Sequence, residues 1–114
     1  MIKLTEITQD IYNALKRVNG LSVYPIVATE GTRYPYCVFE RNSVLPHSTK
    51  DGIHSFDVTF NITVVSSTYF EGLKLADEVI ETLFKIGGNY TPQLQGCTEE
   101  YINEGYLQTL TFSF

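Results

Sequence analysis

The run "FDVTFNITV", Phe56 to Val64, constrains the chain most, because Phe56, Val58, Phe60, Ile62 and Val64 alternate with Asp57, Thr59, Asn61 and Thr63. Successive side chains of a strand point to opposite faces, so this period of two predicts a strand with one buried and one wet face. Directly behind it, "STYFEGLKLADEVIETLFKIGG" changes period. Phe70, Leu73, Ala76, Val79, Ile80, Leu83 and Phe84 fall at helical spacing, with Ser67 or Thr68 as cap and Gly87-Gly88 as stop. A one-faced strand feeding a one-faced helix calls for a sheet layer packed on a helix layer.

The remaining segments supply partners for these two. Leu4, Ile7, Ile11, Ala14, Leu15 and Val18 predict a first amphipathic helix, with Thr5 as cap and Gly20 as stop. "LSVYPIVATEGTRYPY" contains Tyr-Pro and Pro-Tyr steps and Gly31, a composition for extended chain and turn with room for one short strand. "YCVFERNSV" reads as a strand with Cys37 and Phe39 on one face and Tyr36 and Val38 on the other. "QLQGCTEEYIN" and "GYLQTLTFSF" predict two strands joined around Asn103, Glu104 and Gly105, with Tyr106, Gln108, Leu110, Phe112 and Phe114 on one side of the last. Helix, hairpin, helix, hairpin is an α+β order. It predicts a single domain over 1–114: a two-layer sandwich whose mainly antiparallel four-stranded sheet is covered by two helices. The irregular stretches are residues 21–34 and 45–54.

Charge and termini narrow the function. Eight Lys plus Arg against thirteen Asp plus Glu give a net charge of −5, and no segment gathers the cations into a stripe. Phosphate neutralisation needs clustered cations, so specific nucleic-acid binding is not expected. "MIKLTEITQDIYNALKRV" has neither the apolar core of a signal peptide nor the length of a membrane span, which predicts a protein that stays in the cytoplasm. In that reducing compartment Cys37 and Cys97 are expected as free thiols acting as small buried hydrophobes. The sequons at Asn61 and Asn89 carry no meaning without secretion.

One stretch invites a catalytic reading. "HSTKDGIHSFDV", His47 to Val58, holds the residue types of a nucleophilic triad, but triads are assembled from elements distant in sequence. Asp51-Gly52 instead favours a turn between two strand patterns, so Leu45 to His54 is expected to be a polar hairpin loop. His54 and Asp57 are three apart and would face opposite sides of a strand, and no Cys and His cluster has zinc spacing. The acids Asp77, Glu78, Glu81, Glu99 and Glu100 read as solvated faces, and "IGGNYTPQLQG" lacks the lysine and spacing of a phosphate loop. No enzyme activity, cofactor or metal is expected. A rival reading is a small ligand-binding or enzyme domain with a pocket between the second helix and the sheet, using His47 or His54 as titrating group.

"VYPIVATEGTRYPYCVFER", "STKDG", "FDVTFNITVVSSTYFEGLKLADEVIETL" and the closing "YLQTLTFSF", taken in this order, resemble the small tail completion or tail terminator proteins of long-tailed bacteriophages and prophages. The resemblance runs from the first helix to Phe114. Its more specific parts are Tyr24-Pro25, Pro35-Tyr36, Ser48 to Gly52, and the strand-to-helix run containing Tyr69 and Ala76 to Val79. It implies a non-enzymatic structural subunit that forms a ring, commonly sixfold, on the end of the tail tube and prepares the head–tail junction. The partners it implies are copies of the chain itself, the tail tube protein and head–tail connector proteins. The setting it implies is the bacterial host cytoplasm during assembly and then the virion tail. Carried onto this chain, the expected subunit or tube interface takes in Tyr24, Pro25, Arg33, Tyr34, His47, Ser48, Thr49, Lys50, Asp51, Gly52 and His54. A second possibility in the same class is another head–tail connector subunit. The acidic balance suits a channel through which DNA slides.

Overall fold

A computed structural model of the chain describes residues 4–29, 31–50, 52–87 and 90–114. The elements run α1 (Leu4–Leu15), β1 (Ser22–Pro25), β2 (Tyr36–Thr49), β3 (Gly52–Ser66), α2 (Tyr69–Phe84), β4 (Gln93–Ile102) and β5 (Gly105–Ser113). The expected α+β class is therefore present with its two helices, but the sheet has five strands and is mixed, in the order β1-β2-β3-β5-β4. The extra strand is β1, which pairs in parallel with the start of β2 (Ser22 with Tyr36, Pro25 with Phe39). All other pairings are antiparallel.

Packing follows from which side chains each element turns inward. Ile7, Ile11, Ala14 and Leu15 of α1 meet Val79 and Leu83 of α2 and the inner row of the sheet, Cys37, Phe39, Val58, Phe60, Ile62, Val64, Leu110 and Phe112. Each fully buried side chain of this size contributes about 1.5–3 kcal/mol relative to exposure. Register sets polarity across the sheet: Phe39, Ile62, Leu110 and Cys97 lie side by side, as do Cys37, Val64, Gln108 and Glu99. Both rows turn polar or exposed at β4, every residue of which is exposed. Cys97 is therefore not a buried hydrophobe, whereas Cys37 is fully buried and burial pushes its thiol up to about 12. Two strands separate β2 from β4, a spacing of roughly 14 Å that no disulfide spans within a subunit.

The helix ends differ from expectation in detail. Thr5 lies inside α1 rather than capping it. Thr68 does occupy the N-cap of α2 with extended backbone, but its hydroxyl makes no capping bond; its carbonyl accepts from Gly72 N at 3.2 Å and from Ser66 Oγ at 2.7 Å. α2 stops at Phe84, ahead of Gly87 (φ +73), and Gly88 lies outside the described residues. The buried stripe of α2 is Gly72, Leu75, Ala76, Val79 and Leu83, so Phe70 is not a core residue: it is 80% exposed.

The largest departure is the stretch 45–54. It is not an irregular loop, because β2 and β3 stay paired through Leu45 with Asp57, Pro46 with Phe56, His47 with Ser55, Ser48 with Ile53 and Thr49 with Gly52. Lys50 lies in the turn that follows Thr49, and Gly52 (φ +119) opens β3. β5 joins β3 only from Thr59 onward, so among the described residues the end of this hairpin is a two-stranded arm with no third strand beside it. The molecule is accordingly elongated, 51 by 24 by 23 Å.

Candidate functional site

The expected interface residues divide into two groups. Tyr24 and Pro25 sit on β1, and Arg33 and Tyr34 immediately precede β2, at the end of the sheet where β2 begins. There Tyr34 stacks on Tyr36 (centroids 5.9 Å apart, planes within 7°) and Tyr24 meets Tyr36 edge-on at 6.5 Å. The Tyr34 hydroxyl points to Asn103 O in the β4–β5 turn at 3.4 Å. His47, Ser48, Thr49, Lys50, Gly52 and His54 belong instead to the arm, while Asp51 lies outside the described residues. Tyr36 and Thr49 open and close the same 14-residue strand, so at about 3.3 Å per residue the groups are roughly 40 Å apart. They are two surfaces of one subunit.

That separation also corrects the histidine reading. α2 packs on β3 and β5, and its N-terminus lies beside Ser66 at the far end of β3 from Gly52. His47 and His54 are on the arm, so neither backbone position is near a pocket formed by α2 and the sheet. Among the described residues no group of three or more His, Cys, Asp or Glu could hold a metal ion, and no helix is long and apolar enough to cross a membrane.

Three further surface features stand beside these residues. The first is a projecting knuckle after β1. Val27 N donates to Pro25 O at 2.7 Å around Ile26, whose φ is +65, a γ-turn of the strained positive-φ kind. Ile26 N donates to Phe39 O at 2.8 Å, which fastens the knuckle to β2 and leaves the Ile26 and Val27 side chains 72% and 73% exposed. Its neighbour is the sheet face away from the helices, where Tyr36, Val38, Val65 and Leu107 line a shallow hollow. The second feature is β4 itself, an edge strand with an open row of backbone groups.

The third lies where α2 begins beside β4 and β5. Tyr69, Glu99, Glu100, Tyr101, Tyr106 and Gln108 line a recess of about 250 Å³. The Tyr106 ring touches Tyr101 at 4.8 Å and Tyr69 at 5.8 Å between centroids. Glu99 Oε2 accepts from the Tyr69 hydroxyl at 2.9 Å and from Gln108 Nε2 at 3.2 Å. Gln108 is 2% exposed, so a core residue orients this surface carboxylate. The bond to Glu99 is also the main reason the Tyr69 hydroxyl titrates above its ordinary value. Tyr69 and Glu99 are thirty residues apart, and only the strand order brings them together.

No family model matches this chain, and no curated protein matches its sequence.

Proposed function

We propose that the chain is a structural, ring-forming tail completion protein of a phage or prophage, which caps the tail tube and prepares the junction with the head. The observation that carries this reading is the paired arm at residues 45–57, which projects where no third strand accompanies β2 and β3. An isolated two-stranded ribbon gains little stability in water by itself. Docked on a neighbouring subunit or on the tube, it would gain both packing and backbone partners. The β4 edge supplies the second half of such a contact, since its unpaired groups can accept a strand from another chain.

Under this reading the subunit performs no catalysis and holds no cofactor. It assembles in the host cytoplasm and ends in the virion tail. The knuckle at Ile26 and Val27 and the tyrosines Tyr24 and Tyr34 form a second contact surface, so one subunit touches both a ring neighbour and the tube or connector. Multi-angle light scattering of the purified chain, alone and with the tail tube protein encoded in the same genome, tests this. A closed oligomer, formed alone or on the tube, supports it, and a particle that stays monomeric and ignores the tube contradicts it.

A further inference from the structure

The recess between α2 and β4 combines a fixed anion with aromatic faces. Both hydrogen bonds to Glu99 reach Oε2, so among the described residues nothing donates to Oε1, and neither Glu99 nor Glu100 takes part in an ion pair. Tyr69, Tyr101 and Tyr106 wall the recess, and the exposed Phe70 ring lies in edge contact with Tyr69 at 5.4 Å. A carboxylate with a spare oxygen among tyrosine rings suits an ammonium group on an aliphatic stem: the charge meets Glu99 and the ring faces, and the methylenes cover the aromatics.

The chain carries such a group at its opposite end. Lys50 stands in the turn that closes the arm, exposed. Among the other described lysines, Lys16 lies over the Tyr12 ring, Lys85 pairs with Glu81 and Lys74 is exposed on α2 itself. Ser66, which pairs with Tyr106 beside the recess, ends the 15-residue strand that Gly52 begins at the arm tip. Along that strand the two features are roughly 45 Å apart, so Lys50 cannot reach its own recess. Complementary features at opposite ends describe a heterologous, head-to-tail contact, the type that closes into rings.

We propose that the recess formed by Tyr69, Glu99, Tyr101 and Tyr106 is a lysine-binding site that receives Lys50 from the arm of a second copy of this chain. This rests on the ring-forming reading and adds to it which residues meet. The test compares wild type, Lys50→Glu, Glu99→Lys and the double variant by sedimentation velocity across a concentration series. Each single reversal is expected to weaken association at least tenfold, and the double variant to recover most of it. Because Glu99→Lys disturbs the bond to buried Gln108, Glu99→Gln serves as a milder variant that keeps an acceptor and still weakens association. Wild-type association in Lys50→Glu, or a double variant no better than the weaker single one, overturns the proposal. A wild type that remains monomeric counts against ring formation itself. On that monomer, NMR titration with N-acetyl-lysine-methylamide against its norleucine counterpart then decides the site: shifts confined to Tyr69, Tyr101 and Tyr106 with the lysine analogue uphold it, and none overturns it.

Discussion

The Tyr90 hydroxyl donates a 2.6 Å hydrogen bond to Asp10 Oδ2 and so ties the segment before β4 to the first helix, eighty residues earlier in the chain. The ring itself packs edge-on against Phe114 at 6.4 Å, so one side chain joins the residue that follows β5 to the first helix. Burial is the first cause that raises the Tyr90 hydroxyl to about 12, followed by the bond to Asp10.

Replacing Tyr90 with Phe keeps the ring packing and removes the bond. The expected loss is about 0.5–1.5 kcal/mol, read as a lowered urea midpoint with unchanged slope. The pH dependence has a definite sign. The folded hydroxyl titrates near 12 and the unfolded one near 10.0, so the stabilisation is complete below pH 10 and is lost as pH rises toward 12. Tyr90→Phe should show a shallower decline over that window than wild type. Equal declines in the two proteins would remove Tyr90 as the cause.

At Gly72, α2 runs close against Ser66 and Gln108 of the sheet. A Cβ placed there would overlap Ser66 Oγ, and Ser66 is fully buried with its hydroxyl bonded to Thr68 O. Gly72→Ala is therefore expected to destabilise by about 1–3 kcal/mol despite the better helix propensity of alanine. Adding Ser66→Ala to it should restore part of that loss by opening space, and thermal unfolding of the single and double variants checks the coupling.

The Ile26 knuckle separates stability from assembly. A β-branched residue at φ +65 is strained, and glycine adopts that backbone freely. Ile26→Gly should leave stability unchanged or raise it by up to about 1 kcal/mol, because relief of strain offsets the added freedom of the unfolded chain. If the exposed side chain is a contact, the same variant should associate more weakly. Lower stability together with full assembly would place Ile26 among purely structural residues.

The arm allows a larger excision. Leu45 and Asp57 face each other across β2 and β3, so replacing Pro46 to Phe56 with Asn-Gly closes a shorter hairpin on the same register. The core rows at Phe39, Val58, Phe60 and Ile62 are untouched, and the melting temperature should fall by no more than a few degrees. Association and tube binding should be lost. A shortened chain that assembles like wild type would exclude the arm from the interface.

These surfaces were unequally legible in the sequence. The alternation from Phe56 to Val64 announced β3 because one face of that strand is buried from Val58 onward, and the inward side of β5 was read correctly for the same reason. The arm beyond Leu45 has no helix layer to pack on, so nothing selects alternating apolar residues there, and a paired ribbon looks like a polar loop. β1 is four residues long, two of them the Tyr24-Pro25 step, too short for a period to register. Phe70 was misplaced because spacing weighs size. The helix turns its glycine toward Ser66, and that rotation carries Phe70 outward. The recess at Glu99 was invisible for a topological reason: Tyr69, Glu99 and Gln108 meet only because β5 lies between β3 and β4.

The most direct test of a tube-capping role is the length of tail tubes grown from purified tube protein with and without this chain, measured by negative-stain electron microscopy. Added chain should shorten the tubes in proportion to its concentration and leave a ring of density on one end, and the arm-shortened variant should do neither. Tubes of unchanged length with bare ends, at concentrations where the chain is folded and in excess, would contradict the role.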